Sequence, residues 1–334
     1  MQTLPKSRLL RFVEEAFQLA QRAVARYSST FSKQRYTLHQ HIVLLCLKVL
    51  KGTTYRTLLD ELIEMPRIRR AINLTELPAP STLCKAFDRC DMAVWRVLLD
   101  LSVSLLPTNG VAGIDASGFD RTRASKHYTK RAKLTIQQLK VTLLVDTRVN
   151  AILDLHITTT RKHDTQIAPS LINRTTTEVD VLLGDKGYDD QQIRAMAREN
   201  GIRPLIKHRE FSSLQRAWNA RLDAELYSQR RQSETVNSRL KRKYGAFVRS
   251  RRWWKQSREL ALACIVHNLD RALYRSVQGA YSARSIPRSL EVVVISTPST
   301  SDLRSNHLER QNTKRNLGLG ERFISNTTST VEPS

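Results

Sequence analysis

No stretch of the 334 residues stays apolar for the ~20 positions that a bilayer crossing requires. The longest runs, IVLLCL at 42–47 and LALACIV at 260–266, have the length of core segments. Cysteine is scarce: Cys46, Cys84, Cys90 and Cys264 are scattered, with no CxxC pair and no histidine at zinc-ligand spacing. This excludes a disulfide framework and a zinc ribbon, and the four are expected to be buried, reduced thiols. G-x-S-x-G, a Walker loop and G-x-G-x-x-G are all missing, which removes the serine-hydrolase, nucleotide and dinucleotide classes. The amino terminus, MQTLPKSRLLRFVEE, has no apolar secretory h-region, so the protein is expected to stay where it is made, in the cytoplasm and associated with the nucleoid. No internal repeat is visible. Acidic residues are few, 31 against 55 lysines and arginines, and the formal net charge of +24 points to a polyanionic partner.

What is present suits a folded protein. Hydrophobic residues make up 40% and charged residues 26%, and the length predicts roughly two units. Residues 7–106 read as helical, because apolar positions such as Ile42, Leu45, Cys46 and Val49 recur at three and four. Helix punctuation is dense there: Gly52-Thr53-Thr54 separates two helices, Pro66 opens a short one, and Ser81 is the expected N-cap of another. Such a succession is expected to be an all-α, helix-turn-helix-like DNA-binding domain over 1–106. From Val111 the pattern changes to VAGIDASG, LKVTLLVDT and NAILDLHIT, a predicted three-stranded meander. A helix over 164–173, the strand VDVLLGD, a helix over 190–199 and the strand IRPLI follow, giving an α/β domain over 107–276. Two long helices, 221–245 and 252–276, close it. Residues 277–334 are rich in Ser, Thr, Asn and Arg and are expected to form a disordered tail.

Three acids stand out. Asp115 follows the run Val111–Ile114 and Asp185 follows Val181–Gly184, so each ends a buried strand, where a sheet holds a carboxylate at its tip. A turn or cap aspartate is the alternative for either alone. On a helix turning ~100° per residue, Tyr227, Arg230, Glu234 and Lys241 share one face opposite Leu222, Val236 and Leu240. Residues 209–258 contain 14 Arg or Lys and 4 Asp or Glu, an unusual field for Glu234 to occupy as a mere solvated charge. Carboxylates suit hard divalent cations, and flanking cations suit a nucleic acid backbone, so the pattern fits metal-assisted phosphoryl transfer.

These residues carry a resemblance. The spacing Tyr227, two residues, Arg230, three residues, Glu234, six residues, Lys241 is similar to the signature of insertion-sequence transposases of the DDE type. GIDASGF around Asp115 and LLGDKGYD around Asp185 resemble the first and second acidic blocks, and HNLDRAL at 267–273 resembles the closing helix. The resemblance covers about residues 111–275. The 49 positions from Asp185 to Glu234 leave no room for a large β insertion, so the chain looks like the compact branch of the family four/five group, closer to five.

The resemblance implies a ribonuclease H-like mixed sheet, with Asp115, Asp185 and Glu234 as catalytic residues holding two Mg²⁺, for which Mn²⁺ would substitute. It also implies that Tyr227, Arg230 and Lys241 contact DNA phosphates. Double-stranded DNA would be the partner, both as terminal inverted repeats and as target, with a homodimer acting on it. His163-Asp164 looks like a further family block, although Asp164 also reads as an N-cap. Arg121, Arg123 and Lys126 open a run of six cations that reads as a loop tracking DNA beside Asp115, with a solvated hairpin as the alternative. Trp253 and Trp254 read either as hydrophobic anchors or as a stacking surface for an unpaired base. Two rival functions stay open: a non-enzymatic DNA-binding repressor or decayed element product, and a nuclease of the same fold without strand transfer.

Overall fold

The structure, a computed structural model, describes residues 4–28, 34–121, 138–159 and 162–284, with 276–284 as backbone alone. They belong to the compact unit Met1–Ser282, apart from the last two residues of the final helix. The residues from 122 to 137, with Arg123 and Lys126 of the cationic run, lie outside the described residues, as does the expected tail from 285 onward; residues 277–284, expected to belong to that tail, are instead the end of a helix.

Six helices come first: α1 (Arg8–Ala23), α2 (Leu38–Lys51), α3 (Tyr55–Ile63), α4 (Pro66–Ala71), α5 (Pro80–Arg89) and α6 (Met92–Val103). Local chemistry sets their ends. Thr37 and Gln40 form a reciprocal capping box on α2, and Gly52 closes that helix at φ +63°, a left-handed turn that glycine adopts without strain. Pro66 and Pro80 each open a helix at the first position, where the missing N–H costs nothing. Ser81 is therefore not the N-cap of α5; it lies inside the first turn, behind Pro80, and α5 has no side-chain cap.

The second half is a mixed α/β fold on five strands: β1 (Val111–Asp120), β2 (Gln138–Asp146), β3 (Ile152–Thr158), β4 (Val181–Gly184) and β5 (Arg203–Ile206). The order is β3-β2-β1-β4-β5, with β1–β3 an antiparallel meander and β4 and β5 parallel to β1. Helices α7 (Asp164–Arg174), α8 (Gln191–Glu199), α9 (Ser213–Ala220), α10 (Ala224–Ser228), α11 (Arg231–Tyr244) and α12 (Trp253–Arg284) complete the described fold.

Strand alternation divides the core in two. Phe119, Val141, Leu143 and Val145 share one cluster with α11, α12 and the amino-terminal helices. Ala112, Ile114 and Leu144, one step out of phase, share the other with α7 and α8. The long helix α12 is fixed by polar contacts as well as by its buried stripe of Leu262, Val266, Leu269 and Leu273. Asn268, fully buried, accepts from Ile152 N at 2.8 Å and donates to Ile152 O and Ser102 Oγ, both at 2.9 Å. His267 Nε2 lies 2.9 Å from Asn150 O, and burial pushes this imidazole down to about 4, so it is neutral at physiological pH. No helix among the described residues is long and apolar enough to cross a membrane.

Candidate functional site

The register of the sheet brings Asp115 and Asp185 level. Val111, Ala112 and Gly113 of β1 pair with Val181, Leu182 and Leu183 of the parallel β4. Two residues further along both chains are Asp115, still in β1, and Asp185, just past the end of β4. There the backbone turns into a 3-10 segment, Lys186–Tyr188, which Asp185 caps by accepting from Gly187 N at 2.8 Å. Gly187 has room for this only because it lacks a side chain. A methyl there would lie 2.8 Å from Asp185 Oδ1 and 3.5 Å from Asp164 Oδ2, so two carboxylates converge on it.

The helix bearing Glu234 lies directly on β1, where a methyl added at Gly113 would touch Ser233 at 3.4 Å. Val236 and Leu240 bury against the sheet, and on the same side Asn237 donates to Asp115 Oδ2 at 2.9 Å. Burial raises the Asp115 pKa; the Asn237 bond opposes this, the Glu234 charge adds to it and the Arg230 guanidinium lowers it. Glu234 itself is exposed and forms an ion pair with Arg230 at 2.6 Å. Burial, then the charges of Asp164, Asp115 and Asp185, hold the Tyr188 phenol well above its ordinary range, so this buried ring sits amid three carboxylates.

The expected single helix over 221–245 is two helices. Between α10 and α11 the bonds from Gln229 N to Leu226 O, Arg230 N to Tyr227 O and Ser233 N to Arg230 O all span three residues, so the chain tightens there. Tyr227 still reaches the site, donating to Gly184 O at 3.2 Å, one residue before Asp185, with Lys207 stacked 4.9 Å from its ring. Arg230 senses Glu234, Tyr227 and Asp185 together. Lys241 lies two turns along α11, its ammonium 5.4 Å from the Phe119 ring. Arg121, just past β1, donates to Gln256 at 3.1 Å.

Asp164 is not the N-cap of α7. His163 takes that role through Nδ1, and Asp164 instead pairs with Lys140 at 2.8 Å. Trp253 and Trp254 remain substantially exposed at the start of α12, with the Arg258 guanidinium 4.5 Å from the Trp254 ring. Asn237 and Tyr188 were not singled out from the sequence. Asn237 carried one legible signal, its position three residues after Glu234 and one after the buried Val236.

The donors gathered here are hard oxygens, the chemistry that divalent cations such as Mg²⁺ prefer. Asp115 fits best, because its half-buried carboxylate is met, among the described residues, only by neutral hydrogen-bond donors, Asn237 and the Ala116 backbone, and its pKa stays raised, the mark of a charge short of compensation. Glu234 is the member held elsewhere, by Arg230, and no three such side chains converge at metal-binding distance among the described residues.

Residues 108–269 match the family model described as Transposase DDE domain. No curated protein matches the chain. Among solved structures, a piggyBac transposase synaptic complex with hairpin DNA superposes over 90% of this chain and 84% of that one, at 11% identity and a TM-score of 0.39. That superposition is too loose to transfer any feature between the two. The matched segment spans β1 to α12, with Asp115, Asp185 and Glu234 inside it, and the enzyme class of the chain is DDE transposase.

Proposed function

We propose that the chain binds the terminal inverted repeats of a DNA element and performs metal-dependent end cleavage and strand transfer, with Asp115, Asp185 and Glu234 as its catalytic carboxylates. The observation that carries this is the level placement of Asp115 on β1 and Asp185 just past the end of the adjacent parallel β4, with the helix that bears Glu234 packed on β1. The five-stranded mixed sheet supports a ribonuclease H-like assignment, in the compact insertion-sequence branch closer to family five. The six amino-terminal helices support the helix-turn-helix-like repeat-binding role. The net charge of +24 supports DNA as the partner.

In this proposal Asp115, Asp185 and Glu234 hold two Mg²⁺, and Mn²⁺ replaces them. When bound, the ions supply Lewis acidity to the scissile phosphate and lower the pKa of the attacking hydroxyl. The chain's own residues orient and select. Asn237 fixes the Asp115 carboxylate, Gly187 N fixes that of Asp185, and Arg230 holds Glu234 until it is recruited. Tyr227, Arg230 and Lys241 contact phosphates beside the cut, and Arg121, Arg123 and Lys126 add further contacts to the DNA backbone. Pairing two ends calls for a homodimer on DNA.

The test is cleavage of a labelled fragment carrying the flanking inverted repeat in Mg²⁺. Nicking at the repeat boundary, followed by joining to a target duplex, supports the proposal. Cleavage without joining leaves a nuclease, and specific binding without cleavage leaves a repressor.

A further inference from the structure

A cavity lies away from the carboxylates. It encloses about 450 Å³, a ligand-sized volume, between α2, α3, α5 and the start of α12. Its floor is apolar, made by Leu45, Val49, Phe87 and Leu262, and the Tyr55 ring forms one wall. Five cations stand around it. Two are engaged: Arg249 donates to the carbonyls of Gly52 and Thr53, and Lys255 pairs with Asp88. The other three, Lys48, Arg251 and Arg252, form no salt bridge among the described residues. Glu259 is the acid on the lining, and both its oxygens accept backbone N–H groups, from Arg249 and Ser250 at 2.9 Å each. It therefore shapes the rim. Lys48 is half-buried, its ammonium 4.9 Å from the Tyr55 ring.

An apolar floor with an aromatic wall and a rim on which five cations outnumber the single acid, Glu259, matches a flat ring carrying a phosphate. Base stacking on an aromatic side chain needs no particular sequence, and neighbouring cations hold the backbone. We propose that this pocket receives a single unpaired nucleotide of the bound DNA, its base against Tyr55 and the apolar floor and its phosphate against Lys48, Arg251 and Arg252. The proposal rests on DNA being the partner, and it adds a site for distorted DNA to the site for cleavage.

The experiment compares two probes on the full chain: a fluorescent duplex, and the same duplex with one extrahelical nucleotide. The wild type is expected to bind the bulged duplex roughly tenfold more tightly, the scale of one stacked base. Lys48→Ala and Tyr55→Leu are each expected to abolish that preference while leaving affinity for the intact duplex within about twofold. A readout without mutation uses Cys84, which lines the pocket and is only partly buried, whereas Cys46, Cys90 and Cys264 are buried. Saturating bulged duplex is expected to slow Cys84 alkylation by iodoacetamide about fivefold or more, and saturating intact duplex to leave it unchanged. Retained preference in both variants, or Cys84 alkylation that bulged DNA does not slow, would overturn the pocket assignment while leaving DNA binding in place. Failure to bind either probe would remove the DNA partner itself, and the pocket assignment with it.

Discussion

Asn237 on α11 donates a 2.9 Å hydrogen bond to Asp115 on β1, joining the helix that carries Glu234 to the strand that carries the first aspartate. The bond favours the ionised carboxylate and so opposes the upward shift that burial imposes. Asn237→Ala removes that opposition. The acidic limb of the pH–cleavage profile is therefore expected to move to higher pH, with the plateau at alkaline pH little changed. A profile superimposable on that of the wild type would mean that the bond does not govern Asp115 ionisation.

Asp115 also predicts a trade of stability against activity. Its folded-state pKa lies above that of an ordinary aspartate, about 3.9. The stability this contributes is fully present below the unfolded pKa and is lost as pH rises through the folded one. At neutral pH the ionised group is thus destabilising. Asp115→Asn, which keeps an oxygen for Asn237, is expected to melt at a higher temperature than the wild type at pH 7, with the difference shrinking toward pH 3.5, while cleavage is lost. Equal Tm values at pH 7 would contradict the burial argument.

Much of this site was legible in the sequence because it depends on local pattern. An apolar run that ends in aspartate put both acids at strand ends: Asp185 does lie just past β4, whereas β1 continues to Asp120 and holds Asp115 in mid-strand, because the polar and small residues after it still pair with β2. Fixed spacing put Tyr227, Arg230 and Glu234 together, and they do meet, although the helix is broken between 228 and 231. A single ~100° wheel cannot anticipate a tightened turn. Asn237 and Tyr188 escaped notice because their roles depend on which strand a helix lies over and which carboxylates surround a buried ring. Both are long-range facts. The Ser81 and Asp164 caps failed for a local reason: a proline at the first position and a histidine one residue earlier took over the helix starts.

Gly187 tests whether the position of Asp185 matters. A methyl at this residue would fall 2.8 Å from Asp185 Oδ1, closer than van der Waals contact allows, and would push the carboxylate off its backbone N–H. Gly187→Ala is expected to lower cleavage by on the order of 100-fold, the cost of misplacing a reacting group by about 1 Å, with DNA affinity unchanged. Near wild-type cleavage would show that Asp185 is not held for catalysis by this turn.

Lys241 separates a DNA-facing helix from a merely solvated one. If it contacts a phosphate, Lys241→Ala weakens binding of the end fragment and lowers the slope of log affinity against log salt by roughly one unit. Glu234→Ala removes a negative charge from the same helix, so its binding holds or tightens while cleavage stops. Affinities measured across a salt series decide the point, and an unchanged slope for Lys241→Ala counts against the contact.

The most direct test of the carboxylate assignment is cleavage of the labelled inverted-repeat fragment in Mg²⁺ by the wild type and by Asp115→Ala, Asp185→Ala and Glu234→Ala, with binding measured on the same fragment. Cleavage is expected from the wild type in Mg²⁺ or Mn²⁺ and from none of the three variants, with specific binding retained by all four proteins. Near wild-type cleavage by any one variant would contradict the role given to that residue.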